Sequence, residues 1–376
     1  MGDHAPEDPA ATLVRVGQGK DTSPLSGLRL LAVSPVGGYG GFNTSVHRVR
    51  ALESLGAEVD VVDTAPDAAS RLGRLGLRVT HQLYVRGLGI GLSDPTRNRQ
   101  RVLAAARRRH YDIIWLEKAL TIGPRVVRAL RNVCPRAKIV GFSPDDMVLR
   151  QTQSLQFVEA LRYYDCFITT KAHSVDALRA LGAAQVVVVG SGFDPEAFRP
   201  LPLASGDVAR FGGDVGFIGS FERERGELLL GLARADLHVR IWGDGWGAFR
   251  ERHPNLRVEG KPLYNDDYAR ACQAFKINLG FLRKLNQDQH TTRSVEIPAC
   301  AGFMLAERTA EHQQLFEEGQ EAEFFASAEE LLGKCRRYLT DEVARAEIAR
   351  RGYERCLASG YSNAGRLRQA FRAILV

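Results

Sequence analysis

The hydrophobic residues of this chain come in short runs separated by amphipathic stretches. The runs at 28–34 (LRLLAVS) and 58–63 (EVDVVD) have the length and apolar character of buried strands. Between them, the apolar residues of 44–56 recur at the spacing of one helix face, and a glycine ends the pattern. Further runs predict strands at 112–116, 137–142, 166–170, 185–189, 214–219, 238–243, 256–260, 276–281 and 303–307. Helical patterns separate most of these runs, so the chain predicts repeated βα units, that is, parallel sheets with helices on both faces.

A stretch rich in Pro, Gly and Ser at 190–207 interrupts this alternation. Such composition is typical of linkers between domains. We therefore predict an α/β protein with two Rossmann-like domains, at 28–195 and 213–360, that face each other across a cleft, with a linker at 196–212. The final helical segment, 361–376, is placed to cross back onto the first domain.

Length and composition agree with this division. A chain of 376 residues exceeds the usual size of one hydrophobic core, and 44% hydrophobic and 25% charged residues are ordinary for globular proteins. No apolar run reaches the roughly 18–20 residues that span a bilayer. Residues 1–27 are polar and lack the basic start and apolar stretch of a secretory signal, so we predict a disordered tail and a cytoplasmic protein.

The cysteine, histidine and charge patterns narrow the possible chemistry. The six cysteines form no C-x-x-C pair and no two histidines have the spacing of a helical metal site, so we predict no disulfide framework and no metal requirement. The net charge of +7 fits a surface that binds phosphate or nucleic acid. Much of it is arginine in helical patterns such as 97–110, which is equally typical of a solvated helix face. No aromatic-basic motif of nucleic-acid-binding proteins is visible, so we expect no nucleic-acid partner.

Polar loops follow the predicted strands of the first half. The first of them, 34–45 (SPVGGYGGFNTS), contains four glycines, which let backbone approach a ligand or simply form a tight turn for packing. Paired acids, Asp145 and Asp146, follow a later strand and could bind hydroxyl groups, deprotonate a substrate or hold a divalent ion. One of the two could instead cap the next helix. The expected pocket residues on this side are Gly40, Gly41, Asn43, Lys118, Asp145, Asp146 and Lys171.

Two arginines follow the first predicted strand of the second half. Gly219 and Ser220 close that strand, and Arg223 and Arg225 open the next helix, where guanidinium groups suit a diphosphate. An ordinary charged first turn explains these arginines equally well. Gly243 ends the neighbouring predicted strand.

The densest polar cluster lies at 284–307 (KLNQDQHTTRSVEIPACAGFMLAE). A helix is predicted to begin near Thr291 or Thr292, with open N–H groups that could hold a phosphate. Glu296 is placed to accept hydrogen bonds from a ribose diol, although carboxylates also favour a first helical turn for structural reasons. Asp288, His290 and Arg293 complete the candidate set in this segment.

The string at 291–339 (TTRSVEIPACAGFMLAERTAEHQQLFEEGQEAEFFASAEELLGKCRRYL) resembles the glycosyltransferase domain of the CgeB-like, spore-maturation type proteins. Those proteins are related to glycosyltransferase family 4 and have the GT-B fold. Weaker similarity extends to GFSPDDM, FITTKAHSVDALRALGA and GSGFDPEAFRP in the first half. The resemblance implies a GT-B protein that binds a nucleotide sugar in the cleft.

Family 4 carries two acids, E-x-x-x-x-x-x-x-E, near the donor. Asp288 and Glu296 occupy these places, so the resemblance implies that Asp288 lies near the donor sugar and Glu296 on the ribose, with Asp replacing the usual first Glu. The family's G-R-x-x-x-x-K-G pattern binds the diphosphate. Here Ser220 stands at its Arg and Arg225 at its Lys, and Arg223 is placed to supply the missing charge.

The loop at 261–264 (KPLY) stands where such enzymes hold the base. No histidine obviously replaces the first-domain histidine of many family 4 enzymes, which leaves the catalytic base open. Our expected catalytic residues are Asp146 and Asp288. The residues expected to bind the donor are Gly219, Ser220, Arg223, Arg225, Gly243, Lys261, Leu263, Tyr264, His290, Thr291, Thr292, Arg293 and Glu296. The first-half residues named above, apart from the catalytic Asp146, are expected to bind the acceptor.

The resulting hypothesis is a hexosyltransferase-like enzyme that moves a sugar from a UDP- or GDP-linked donor to an unidentified acceptor, with retention and without a tightly bound cofactor. Three alternatives stay open. A GT-B-type epimerase would use the same donor site without an acceptor pocket. The departures at Ser220 and Asp288 also fit a non-catalytic coat or scaffold protein, and the +7 charge leaves a nucleic-acid-binding protein possible. The sequence does not determine the oligomeric state.

Overall fold

The computed structural model describes residues 23–38 and 43–375, which form two parallel six-stranded sheets. The strands of the first sheet are β1 (Arg29–Ser34), β2 (Glu58–Asp63), β3 (Ile113–Glu117), β4 (Lys138–Ser143), β5 (Cys166–Thr169) and β6 (Val186–Val188). The strands of the second are β7 (Gly213–Ile218), β8 (Val239–Trp242), β9 (Leu256–Val258), β10 (Phe275–Gly280), β11 (Met304–Glu307) and β12 (Glu323–Phe325).

Fourteen α-helices in the described ranges surround the sheets. Those of the first half are α1 (Thr44–Ser54), α2 (Arg71–Val85), α3 (Asn98–Ala106), α4 (Pro124–Val133), α5 (Leu155–Ala160) and α6 (Val175–Ala180). The remainder are α7 (Asp207–Phe211), α8 (Arg223–Arg234), α9 (Asn265–Ala274), α10 (Arg293–Ala299), α11 (Ala310–Leu315), α12 (Ala328–Thr340), α13 (Glu342–Ala358) and α14 (Asn363–Ile374). No helix in these ranges has the length and apolar character needed to cross a bilayer.

The first sheet has the strand order β2-β1-β3-β4-β5-β6. All five residues of β3 are buried, because successive side chains enter the cores on opposite faces of the sheet. Ile114 and Leu116 pack on the side of α3 to α6, whereas Ile113 and Trp115 pack on the side of α1 and α14. Burial on both faces explains why these strands are continuous apolar runs in the sequence.

The second sheet has the order β12-β11-β10-β7-β8-β9. Helices α8 and α12 cover one face, α7, α9, α10 and α11 cover the other, and α13 contributes buried residues to both cores. The strand order reverses between β7 and β10, which are hydrogen-bonded neighbours. In open parallel sheets, ligands bind beyond the carboxyl ends of the strands at such a switch point.

The chain crosses from one domain to the other twice, and the two crossing segments lie side by side. The Phe193 N–H donates to the Tyr361 carbonyl (3.2 Å), and the Asn363 N–H donates to the Phe193 carbonyl (2.7 Å). Beyond this point α14 packs on the first sheet, where Leu367, Ala370 and Phe371 are buried. The last helix of the chain therefore completes the core of the first domain.

The predicted fold class is confirmed, and each of the eleven predicted apolar runs overlaps a strand. The twelfth strand, β12, was not predicted, because its sequence (EFF) is short and begins with an acid. Glu323 is buried there, since Lys334 forms an ion pair with its carboxylate (2.5 Å) and Tyr338 donates a hydrogen bond to it. Both partners come from α12, so a tertiary contact makes this strand possible.

Candidate functional site

Three arginines lie around the switch point of the second sheet. Arg225, 7% exposed, donates from Nη2 to the Leu282 carbonyl just beyond β10 (2.9 Å). Arg293 donates from Nε to the Ile218 carbonyl at the end of β7 (2.6 Å). Arg283 and Arg225 both contact Glu222 Oε1, at 3.2 and 3.3 Å. We refer to Arg225, Arg283 and Arg293 as the switch-point arginines.

The charges of these side chains act on one another. Burial lowers the pKa of the Arg225 guanidinium; Glu222 opposes this effect, and the charges of Arg293 and Arg283 add to it. In addition, Arg225 Nε is buried without a hydrogen-bond partner among the described residues. A concentration of positive charge with an unsatisfied buried donor is an environment that an anion would stabilise.

The predicted glycines at the strand ends have a packing role. A Cβ on Gly243, whose φ is +146°, would lie 2.0 Å from the Gly219 carbonyl oxygen. Trp246 Nε1 donates to the same oxygen (2.8 Å). The close approach of β7 and β8 therefore requires glycine at 243. Ser220 and Arg223 are exposed at the mouth of this region.

Helix α10 begins at Arg293 after Thr292, in agreement with the predicted start. Neither threonine caps it with a side-chain hydrogen bond to a free N–H; instead, Thr291 N–H donates to Ser294 Oγ (3.0 Å). Ser294 Oγ in turn donates to His312 Nε2 (2.7 Å), because His312 Nδ1 donates to the Glu307 carbonyl (2.6 Å). Burial lowers the pKa of His312 to about 4, so this histidine is uncharged at neutral pH. Its two hydrogen bonds stabilise the loop.

Glu296 lies inside the domain, near the switch-point arginines. It is 6% exposed, and burial raises its pKa to about 7, against the lowering effects of Arg293 and Thr292. A carboxyl group with this pKa changes charge near neutrality. Perturbed groups of this kind are concentrated at ligand sites.

The structure brings two predicted residues from opposite domains into contact. Lys171, after β5, forms an ion pair with Asp288, after β10 (2.5 Å), and each side chain is only 5–6% exposed. His290 also bridges the halves, because its Nε2 accepts a hydrogen bond from the Ser191 N–H (2.8 Å) and its Nδ1 contacts Glu311 (2.5 Å). Both ring nitrogens of His290 therefore have protein partners in this conformation.

The first domain presents Lys118 and Asp145 at its strand ends as an ion pair. Burial raises the pKa of Asp145, but the positive charge of Lys118 lowers it by more, with smaller contributions from Lys171 and Arg283. The pKa of Asp145 therefore lies below the usual value. Lys118 adopts a left-handed backbone conformation (φ +46°), which is uncommon for a residue with a side chain and frequent at functional loops.

Asp146 and His173 form a pair that the sequence analysis missed. Asp146 is 1% exposed; its Oδ1 accepts from Ser174 Oγ (2.6 Å) and its Oδ2 contacts His173 Nε2 (3.1 Å). Its Oδ1 also accepts from the Val148 N–H, as expected for an acid that starts a turn. The side chain of His173 is 33% exposed, so His173, rather than Asp146, can meet a ligand in the cleft. The signal available in the sequence was a histidine two residues after Lys171.

The glycine-rich loop is described only in part, since Gly40 and Gly41 lie outside the described residues. Asn43 caps α1 by accepting from the N–H groups of Ser45 and Val46, and its amide donates to the carbonyls of Val36 and Gly38. Asn43 thus shapes the loop through contacts within it.

The loop after β9 borders a cavity of about 320 Å³. Lys261 and Leu263 line it, and Lys261 Nζ lies 5.5 Å from the centroid of the Trp242 ring. Tyr264, 39% exposed, precedes α9.

In the part of the chain that the structure describes, no three His, Cys, Asp or Glu side chains lie close enough together to hold a metal ion.

Comparison with known proteins agrees with this architecture. Residues 223–372 match the family model described as glycosyl transferase-like. No curated protein sequence matches the chain. Among solved structures, HepE of Anabaena in complex with UDP-glucose is 15% identical (TM-score 0.59), with 93% of this chain and 99% of that one covered.

Two further structures are similar over nearly the whole of both chains. Sucrose-phosphate synthase of Thermosynechococcus elongatus is 15% identical with a TM-score of 0.62, and 93% of this chain and 99% of that one are covered. A glycosyltransferase of Rickettsia africae is 12% identical with a TM-score of 0.58, at 93% and 98% coverage. The chain therefore has the GT-B fold, as predicted, and its second half contains a glycosyl transferase-like domain.

Proposed function

We propose that this protein is a hexosyltransferase-like enzyme that moves a sugar from a UDP- or GDP-linked donor to an acceptor, with retention of anomeric configuration. The observation that carries the proposal is the position of the switch-point arginines at the carboxyl ends of β7 and β10. Cleavage of the anomeric bond leaves negative charge on the diphosphate. Fixed positive groups in a partly desolvated pocket stabilise that charge in the transition state.

Support for a nucleotide sugar comes from the neighbouring residues. Glu296, buried beside Arg293, offers carboxyl oxygens to a ribose diol. The loop at Lys261, Leu263 and Tyr264 is our proposed contact for the base, and Ser220 and Arg223 border the diphosphate. HepE, which has the same fold, was solved with UDP-glucose and also with UDP.

On the acceptor side, we assign His173 the contact with the acceptor hydroxyl and Asp146 the task of orienting the imidazole ring. Retention requires attack on the face from which the diphosphate departs, so a phosphate oxygen is well placed to take the hydroxyl proton. We assign Asp288 the contact with the donor sugar. Its carboxylate can accept a hydrogen bond from a sugar hydroxyl when the ion pair with Lys171 opens, or through the oxygen that Lys171 does not contact.

The donor site is tested by isothermal titration calorimetry of the full chain with UDP and with GDP. Arg283→Ala and Arg293→Ala should each weaken binding of the preferred nucleotide about tenfold or more, since each removes a charge-assisted contact. Arg234→Ala is the matched control, because Arg234 lies exposed at the opposite end of α8 from Arg225. His173→Gln should leave nucleotide affinity unchanged and lower the rate of sugar transfer.

Absence of binding of both nucleotides, or wild-type affinity in both arginine variants, would remove the proposed donor site. NMR of the product's anomeric proton tests retention. Nucleotide binding without turnover toward a broad panel of acceptors would instead identify a scaffold protein, and isomerised nucleotide sugar formed without an acceptor would identify an epimerase.

A further inference from the structure

Helix α2 is barely packed against the rest of the first domain. Of its fifteen residues only Tyr84 is buried. Leu72, Leu75 and Val79 are 81%, 56% and 48% exposed, and their spacing of three and four residues places them along one face of the helix. A helix whose apolar face points to solvent is unusual in a globular domain, where such a face normally enters the core.

Two further exposed apolar residues follow α2 in the chain. Leu88 and Ile90, in the following loop, are 48% and 39% exposed. Together with Leu72, Leu75 and Val79 they form what we call the α2 surface. Exposed apolar residues concentrated in one segment are typical of interaction sites on proteins.

The charged residues of α2 and of the loop that follows it, up to Asp94, are all arginines. Residues 68–93 include four arginines and no acidic residue (Arg71, Arg74, Arg78 and Arg86). Arg71, Arg78 and Arg86 are exposed, whereas Arg74 is held by the carbonyls of Asp67 and Ala69. A stripe of leucine and valine bordered by arginine is typical of helices that lie in the interface of an anionic membrane.

Through its buried residue Tyr84, helix α2 contacts the loop that carries Asp146. Tyr84 Oη donates to Gln153 (2.9 Å), and Arg150 Nη1 donates to the Tyr84 carbonyl (3.3 Å). Gln153 and Arg150 belong to the loop after β4 that also carries Asp146. A surface bound through α2 would therefore hold the cleft close to it.

We propose that the α2 surface docks onto an anionic lipid bilayer. Insertion of the three α2 side chains together with Leu88 and Ile90 removes apolar area from water, and the arginines remain at the level of the anionic headgroups. A second copy of the chain is a poorer occupant, because a symmetric contact would bring two sets of arginines together. This inference goes beyond sugar transfer, since docking needs neither donor nor acceptor.

The test is flotation of the full chain with vesicles of phosphatidylcholine alone and of phosphatidylcholine with about 30% phosphatidylglycerol, at low and high salt. We expect binding to the anionic vesicles, weakened by salt. The triple variant Leu72→Ser, Leu75→Ser, Val79→Ser should lower the partition coefficient about tenfold or more. The double variant Val343→Ser, Leu357→Ser is the matched control, because these residues are 82% and 54% exposed on α13, a helix whose charged residues are of both signs.

Three results would overturn the proposal. They are a lack of flotation with anionic vesicles, equal flotation of the wild type and the triple variant, and flotation that is independent of phosphatidylglycerol. Concentration-dependent self-association that the triple variant abolishes, without any vesicle binding, would show that a second copy covers this face instead. Circular dichroism of the triple variant checks that the fold is unchanged, and UDP or GDP titration reports on the donor site separately.

Discussion

At the scale of single residues, Glu296 links the donor site to stability. Burial raises its pKa from 4.5 to about 7, so the folded protein retains a proton that the unfolded chain releases at lower pH. The contribution of this group to the free energy of unfolding is complete below about pH 4.5 and is lost as the pH rises through about 7. The apo protein should thus become less stable across this range.

Glu296→Gln should abolish this decrease in stability with rising pH, because the glutamine amide does not ionise. At pH 8 we expect the variant to be more stable than the wild type by up to about 3 kcal/mol, and at pH 5 the difference should be small. Urea-induced unfolding at both pH values measures this, with the exposed Glu329→Gln as control. An equal decline of wild type and Glu296→Gln between the two pH values would contradict the assignment.

At the scale of secondary-structure elements, α14 belongs to the core of the first domain although it lies at the far end of the chain. Phe371 is fully buried, and its ring centroid lies 6.1 Å from that of Trp115 in β3. Phe371→Ala should lower the free energy of unfolding by about 3–5 kcal/mol, because it leaves a cavity beside the central strand. Urea-induced unfolding followed by circular dichroism checks this.

Leu375→Ala is the matched control for α14, since this residue is 38% exposed just after the helix. We expect its effect to stay below about 1 kcal/mol. If Phe371→Ala were as mild as Leu375→Ala, α14 would not be an integral part of the first domain's core.

At the scale of the whole molecule, the Lys171–Asp288 ion pair joins the two domains inside the cleft. Lys171→Ala leaves Asp288 without its partner, and opening of the domains is the simplest way to hydrate that carboxylate. For a compact chain of this length the radius of gyration is about 21 Å. Small-angle X-ray scattering should show a radius for Lys171→Ala that is larger than that of the wild type by on the order of 1 Å. Such opening would also expose the donor site for exchange.

Lys276→Ala provides the comparison, because Lys276 forms a half-exposed ion pair with Asp214 within the second domain (2.7 Å). Its radius of gyration should match that of the wild type. An unchanged radius in Lys171→Ala would mean that the remaining contacts between the domains, such as those of Phe193 with Asn363 and of His290 with Ser191, suffice to hold them in place.

The sequence by itself determined the two-domain α/β class, eleven of the twelve strands in the described part of the chain and the start of α10 after Thr292. These features follow from local patterns, because runs of apolar residues and helical spacing are properties of neighbouring positions. The predictions of a UDP- or GDP-linked donor, of retention and of cytoplasmic residence rest on resemblance and composition, and they stay predictions.

Tertiary structure alone decided which polar groups meet. His173 and Asp146 are 27 positions apart, Ser294 and His312 are 18 apart, and Lys171 and Asp288 are 117 apart. Strand β12 likewise depends on Lys334 and Tyr338, which neutralise and satisfy its buried glutamate. The physical reason is that a polar side chain can be buried only where a distant part of the chain supplies its partner, and no local pattern of the sequence records that partner.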